Sequence, residues 1–183
     1  MPFVPFHSLF PDVAKPETRS ITTFNDGDVP EATYGLIELY CNERGCDCRR
    51  VIFQIISAEV EWKNKTPLAT ISFGWEDDTF YRDWASFDLT DEDLEEVRGP
   101  GLMRGASQSP YAPALLERIR TVLEDEAYVD RLVRHYQMFR EAVASGAGAR
   151  DRLGMSWSDE KRKQRRRERK KARRKKGRSR KRS

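Results

Sequence analysis

The stretch that decides the fold is residues 34–59, YGLIELYCNERGCDCRRVIFQIISAE. Its outer parts, residues 34–41 and 49–59, are rich in Ile, Leu, Val and Phe, which favour buried β-strands. The short segment between them, NERGCDC, contains Gly45 as the tight point of a turn, so the pattern predicts a β-hairpin. All three cysteines of the chain lie in or beside this turn, at Cys41, Cys46 and Cys48.

Other segments predict that the hairpin belongs to a larger sheet. Residues 68–75, LATISFGW, predict a third strand, and residues 19–24 predict a short additional one. Sequential strands joined by short loops favour an antiparallel sheet, here of three to four strands. Residues 1–18 contain four prolines, which predict an extended and irregular segment.

The second half of the chain predicts a helical hairpin that covers the sheet. Ser109 and Pro110 offer an N-cap and a first-turn proline, and a break is predicted near Asp125. The apolar residues on the two predicted helices recur with helical spacing: Leu115, Leu116, Ile119, Val122 and Leu123, then Val129, Leu132, Val133, Tyr136, Phe139 and Val143. A shorter helix capped by Asp78 is also predicted, whereas residues 88–109 predict a long loop with at most one helical turn.

The predicted fold class is therefore α+β, with an antiparallel sheet covered by a C-terminal helical hairpin. The domain prediction is an α+β domain over residues 1–144 that carries the cysteines, followed by a small-residue linker over 145–157 and a basic tail over 158–183. Because the tail repeats like charges at i and i+4, we expect it to be disordered or to fray.

The charge of the chain is strongly divided between these parts. Residues 161–183 contain 17 Lys and Arg against one acid, Glu168, which gives a net charge of +16. Residues 1–160 hold the other 17 bases and 29 acids, which gives −12. A tail of this kind neutralises phosphates, so we expect it to bind RNA or DNA without sequence preference. The predicted nucleic-acid-binding residues are Lys161, Arg162, Lys163, Arg165, Arg166, Arg167, Arg169, Lys170, Lys171, Arg173, Arg174, Lys175 and Lys176. The alternative is a solubilising tail, or one that folds onto the acidic body.

The cellular compartment follows from three features. The odd number of cysteines and their tight clustering argue against a disulfide framework, which favours a reducing compartment. The N-terminus, MPFVPFHSLF, lacks the basic region of a signal peptide, and no apolar run approaches the ~20 residues of a membrane span. We expect a cytoplasmic protein that does not contact a membrane. The oligomeric state is left open.

The cysteine cluster predicts a metal site, with zinc as the expected ion. Structural zinc takes four ligands, usually Cys thiolates and His nitrogens, and nearby arginines would favour thiolates. His135, on the flank of the second predicted helix, is the predicted fourth ligand, and the alternatives are His7 or an acidic side chain. Asp47 is the acid nearest in sequence, but it points away from the cysteines if the strand is regular. Two other hypotheses stay open: a redox-responsive or enzymatic use of the cysteines, and a protein-interaction adaptor. Whether the protein is an enzyme is also left open.

Four segments carry a resemblance to a known family: HSLFPDVAKPETRSIT, YGLIELYCNERGCDCRRVIFQI, PLATISFGWEDDTFYRDW and QSPYAPALLERIRTVLEDEAYVDRLVRHYQMFRE. Through them, most of residues 7–144 resembles an uncharacterised family of small bacterial proteins. Some of its members carry a C-terminal, Cys-rich metal-binding module of the SEC-C type, which these 183 residues lack. The resemblance implies a constellation shared with the family, namely Cys41, Cys46, Cys48 and His135, and it implies no activity.

Overall fold

The structure, a computed structural model, describes residues 3–24, 27–63, 66–85 and 88–146. These residues form an α+β fold, which confirms the predicted class, but the antiparallel sheet has six strands instead of three to four. The strands are β1 (Phe3–Pro5), β2 (Ser20–Thr23), β3 (Ala32–Cys41), β4 (Arg50–Ile56), β5 (Ala69–Gly74) and β6 (Gly101–Leu102). The helices are α1 (Pro11–Glu17), α2 (Asp78–Trp84), α3 (Asp91–Arg98), α4 (Ala112–Val122) and α5 (Glu126–Ala144).

Strand β3 is the central element of the sheet. The strand order is β1-β3-β4-β5-β6, and β2 pairs with the same edge of β3 as β1 does, at the opposite end. The register sets Phe3 beside Cys41 on one side of β3 and Ile52 beside Leu39 on the other. The β3–β4 hairpin that the sequence predicts is thus confirmed, and its turn lies at the end of the sheet where β1 also pairs.

The N-terminal segment differs from its prediction. Residues 1–18 are predicted to be extended and irregular, but β1 is extended and regular, and α1 is a helix. β1 forms because its backbone pairs with the edge of β3, where Pro5 is tolerated. α1 forms because Pro11 stands at its first turn, where a proline costs no hydrogen bond. Local composition could not show the contact with β3, which is made by residues about 36 positions further along the chain.

The predicted helical hairpin covers one face of the sheet. Leu115 and Ile119 of α4 and Leu132 and Phe139 of α5 are fully buried in the main core, against the strands. The predicted break is confirmed, because the side chain of Asp125 caps α5 by accepting the Tyr128 N–H at 3.4 Å. Such packing of an apolar helix face is the main source of helix stability in a protein of this size.

Helices α2 and α3 cover another part of the sheet with a smaller cluster of their own, made by Tyr81, Leu89, Leu94 and Val97. α3 is longer than the single turn expected, since Thr90 and Asp93 form a capping box at its start. α2 is capped by Asp77 and not by the predicted Asp78. Within the described residues, none of the helices combines the length and the apolar character needed to cross a bilayer.

Candidate metal centre

The three cysteines meet at the turn of the β3–β4 hairpin. Cys41 ends β3, while Cys46 and Cys48 lie in the connection to β4. Gly45 has φ 81°, which allows the tight turn, and the φ of 41° at Arg49 redirects the chain into β4. The three Sγ atoms lie within 4.8 Å of one another, so the fold brings the three cysteines together. Sulfurs around a tetrahedral zinc lie roughly 3.8 Å apart, so a small adjustment would suffice for them to hold a metal ion.

Two of the three thiols are enclosed. Cys41 and Cys48 have no exposed surface, whereas Cys46 is half-buried. The backbone N–H of Glu43 donates to the sulfur of Cys41 at 3.4 Å. A hydrogen bond of this kind stabilises a thiolate.

The sulfurs also act on one another. The hydrogen bond from Cys48 is the largest influence on Cys46 and, despite partial burial, lowers the pKa of the Cys46 thiol to about 6. The charge of Arg140 and a hydrogen bond from Trp84 lower this pKa further. Cys48, which donates to both neighbours and is buried, has its pKa raised. Cys41, which also accepts a hydrogen bond from Cys48, has its pKa lowered as well, so Cys48 is the member of the cluster that keeps its proton most strongly.

Helix α5 holds the cysteine-bearing turn in place. The guanidinium of Arg140 donates to the carbonyl oxygens of Cys41 at 3.2 Å and Glu43 at 2.9 Å. The Tyr136 hydroxyl donates to Asp47 Oδ1 at 2.9 Å and accepts the N–H of Arg49 at 3.3 Å. These contacts satisfy backbone groups that the strand ladder does not reach.

Helix α2 closes the other side of the turn. The Tyr81 hydroxyl donates to the carbonyl oxygen of Arg49 at 2.8 Å. Gly74 leaves the room for this ring, because a Cβ at that position would lie 2.0 Å from the Tyr81 oxygen. Three residues further along, Trp84 hydrogen-bonds to the sulfur of Cys46. The turn is thus enclosed between α2 and α5.

Arg50 is a buried cation beside the cluster. Arg50 is only 8% exposed. Its guanidinium carbon lies 5.2 Å from the ring centre of Phe3 and 5.7 Å from that of Trp84. Its Nε is buried without a hydrogen-bond partner. Among the residues that the structure describes, no carboxylate pairs with it. From the sequence, Arg50 was one of the arginines near the cysteines that would favour thiolates. The one sign of its burial was its position at the start of an apolar strand.

His135 does not join the cysteines. Its Nδ1 lies 2.7 Å from Glu38 Oε2 and its Nε2 lies 3.0 Å from Glu17 Oε2, while its ring stacks on Phe6. Both nitrogens therefore face carboxylates, and in the part of the chain that the structure describes the potential metal ligands that converge are the three sulfurs. The prediction of His135 as the fourth ligand has no support in this geometry. The available clue was Glu38, an acid within an apolar strand that needs a buried partner.

The two alternative fourth ligands are also placed elsewhere. His7 is exposed, in a short 3-10 turn after β1. Asp47 is occupied by Arg49, at 3.0 to 3.2 Å, and by the Tyr136 hydroxyl. The thirteen residues predicted to bind nucleic acid, like all of residues 147–183, lie outside the described part of the chain.

Comparison with known proteins identifies no relative of this chain. No family model matches the chain, and neither the curated proteins nor the solved structures contain a match to it. The family resemblance noted above stays a prediction, and the function has to be argued from the site itself.

Proposed function

We propose that this protein binds one zinc ion through Cys41, Cys46 and Cys48, and that the ion stabilises the hairpin end of its α+β domain. The observation that carries the proposal is the approach of the three sulfurs to within 4.8 Å of one another. Zinc suits thiolate ligands and has no redox chemistry, as a structural role requires.

The place of the cluster in the fold supports a structural role. Between β3 and β4 the chain forms few backbone hydrogen bonds, among them Cys46 N–H to Glu43 O at 3.2 Å. A metal bound to all three sulfurs would join the end of β3 to both halves of this connection. The same connection contacts α2 and α5 through Tyr81 and Arg140, so the metal would fix the turn against both helices. Binding free energy at such a site becomes folding free energy.

The test is the metal content of the purified full-length chain. We expect one zinc per chain in the wild type and none in Cys48→Ser, because a fully buried ligand is then lost. His7→Ala is the matched control, since His7 is an exposed histidine away from the sulfurs, and its zinc content should equal that of the wild type. A wild-type protein that stays metal-free after expression in zinc-supplemented medium contradicts the proposal.

A second candidate function is favoured by the Cys46 thiol, whose pKa is lowered to about 6 and which is half-buried. A thiolate near the surface is the species that peroxides oxidise. The product is a sulfenic acid, and a neighbouring thiol would then displace water from it to close a disulfide. Metal-free protein in which Cys46 reacts with iodoacetamide much faster than the other two cysteines would favour this redox function over zinc.

For the basic tail we propose nucleic-acid binding, on the strength of its sequence alone. The support is a net charge of +16 over residues 161–183, without an aromatic residue that could read bases. Truncation after Glu160 should abolish retention on immobilised RNA and leave the melting temperature unchanged. Retention of the full chain should fall by orders of magnitude between about 50 and 200 mM salt. Equal retention of the truncated chain would place the binding surface elsewhere.

A further inference from the structure

We propose that the metal's fourth coordination position is open to solution and takes a small anion, with Arg50 as the buried counter-charge that holds it. This inference rests on the zinc site proposed above and names the ligand that completes it. A low-molecular-weight thiolate is the anion that best suits a zinc ion already bound to three sulfurs.

Neither histidine of the chain supplies a fourth ligand to the cluster. The chain contains three cysteines and two histidines in all. Both nitrogens of His135 face carboxylates. His7 is exposed, and the antiparallel register carries it away from the site, because Phe3 pairs with Cys41 and each later residue of β1 pairs one position further back along β3. Among the described residues, no other His, Cys, Asp or Glu joins the three sulfurs.

The position of Arg50 follows from the strand register. Phe3 pairs with Cys41 on one side of β3, and continuing the Leu39–Ile52 register by two residues sets Arg50 opposite Cys41 on the other side. Residues that pair in this way point to the same face of the sheet. Because the Arg50 guanidinium nonetheless reaches to within 5.2 Å of the Phe3 ring centre, its side chain crosses over the Cys41 end of β3.

The charges at the site leave room for an anion. Three thiolates exceed the charge of one Zn²⁺ by one, while Arg50 and Arg140 together supply two positive charges. A buried guanidinium with an unpartnered Nε is costly unless an anionic acceptor meets it. An anionic fourth ligand on the metal would supply that acceptor and neutralise the remaining charge.

The ligand would reach the metal beside Cys46. Cys41 and Cys48 are fully buried, so the metal would be closed on their side. Cys46 is only half-buried, which makes its side of the cluster the way in. A ligand that enters there meets the aromatic surface of Trp84, which contacts both the Cys46 sulfur and the Arg50 guanidinium.

The test uses Co²⁺ in place of zinc in the full-length protein, because its visible spectrum reports coordination. The first arm adds azide and the second adds 2-mercaptoethanol. We expect saturable changes in the ligand-field bands with both probes. X-ray absorption of the zinc form should show three sulfurs and one lighter atom without thiol, and four sulfurs with 2-mercaptoethanol. This measurement needs no variant and tests the proposal even if Arg50 variants do not fold.

Arg50→Met tests the counter-charge, since it keeps most of the apolar stem and removes the cation. We expect unchanged cobalt stoichiometry and an azide dissociation constant that rises about tenfold or more, the range for a lost hydrogen bond to a charged group. Arg120→Met, an exposed arginine of α4, is the matched control and should bind azide like the wild type. Cobalt bound through three sulfurs without any response to either probe overturns this inference and leaves the zinc site standing. An unchanged azide affinity in Arg50→Met also overturns it. A chain that binds neither zinc nor cobalt overturns the zinc site as well.

Discussion

Two buried polar clusters lie at the same strand, and they differ in whether their basic groups meet carboxylates. The sulfur cluster, made of Cys41, Cys46 and Cys48, has ligand atoms that converge, and beside it the buried Arg50 stacks on aromatic rings and pairs with none of the described carboxylates. The carboxylate–histidine cluster, made of Glu17, Glu38 and His135, pairs each ring nitrogen with a carboxylate, although Glu38 Oε1 stays buried without a partner. A basic group that meets a carboxylate needs no further anion, whereas a buried cation that meets none points to an anionic ligand.

Strand geometry keeps the two clusters apart. Side chains along β3 alternate between faces, so Glu38 and Tyr40 point to α5 while Cys41, the next residue, points to the other face. His135 lies on the α5 side, where Glu38 is its partner. His135 therefore belongs to a different cluster although its neighbour Tyr136 contacts the sulfur turn.

The largest effect on stability is expected when the metal is removed from the sulfur cluster. A zinc chelator should lower the free energy of unfolding of the wild type by about 4 kcal/mol or more, the contribution of a ligand present at about 1,000 times its dissociation constant. The measurement is denaturant unfolding of the full chain with and without chelator. Cys48→Ser should start at the lower stability, and chelator should not change it further. An equal stability of wild type with and without chelator would show that the sulfur cluster does not use a metal to stabilise the fold.

The second prediction breaks the other cluster. His135→Ala leaves Glu38 buried without its imidazole hydrogen-bond partner, which should cost about 1–3 kcal/mol of unfolding free energy, as an unsatisfied buried polar group does. Zinc content per folded chain should not change, because His135 does not approach the sulfurs. In Glu38→Gln the carboxyl partner of His135 is already gone, so adding His135→Ala there should cost less than in the wild type. A fall in zinc content with His135→Ala would mean that His135 is a zinc ligand after all.

The sequence was sufficient for the parts of the fold that rest on local pattern. The apolar runs of β3 and β4 and the helical spacing of Leu115 and Ile119 identified the sheet and the helices that cover it, because the spacing of apolar residues shows which face of an element is buried. The cysteine cluster was also predicted from local pattern, since all three residues lie in or beside one turn.

The remaining features depend on contacts between distant segments. β1 forms by pairing with the edge of β3. Arg50 is buried against the rings of Phe3 and Trp84, which come from two other parts of the chain. The partners of His135 are 97 and 118 residues away along the chain. No local pattern specifies such partners, so the sequence identified His135 as a functional candidate but not its neighbours.

A smaller effect is expected from Tyr40→Phe. The Tyr40 hydroxyl lies 2.9 Å from Glu38 Oε2 and 3.1 Å from the carbonyl oxygen of Leu132, inside the core. Its loss should cost about 1–2 kcal/mol, because a hydrogen bond to a buried carboxylate disappears while the ring keeps its packing. Denaturant unfolding measures the change, and zinc content should again stay constant. Tyr111→Phe, with a less buried ring, serves as the control and should cost less.

The smallest effect concerns pH. Burial acts to raise the pKa of Glu17, but the hydrogen bonds from Arg134 and His135 outweigh it and lower the pKa below the usual range. A carboxyl whose folded-state pKa is lowered adds stability above its unfolded pKa, near 4.3 for Glu, and loses it as the pH falls through the folded value. Glu17→Gln should therefore flatten the decline in stability below about pH 5, by about 1 kcal/mol or less, because Arg134 is half exposed.

Unfolding curves of wild type and Glu17→Gln between about pH 3 and 7 measure this decline. Glu117→Gln, an exposed residue that pairs with Arg120, is the control and should follow the wild type. A Glu17→Gln variant with the same acid decline as the wild type would mean that its hydrogen bonds to Arg134 and His135 do not persist in solution. The carboxylate–histidine cluster would then be open at its surface end, where Glu17 is partly exposed, and the contrast with the sulfur cluster would rest on Glu38 alone.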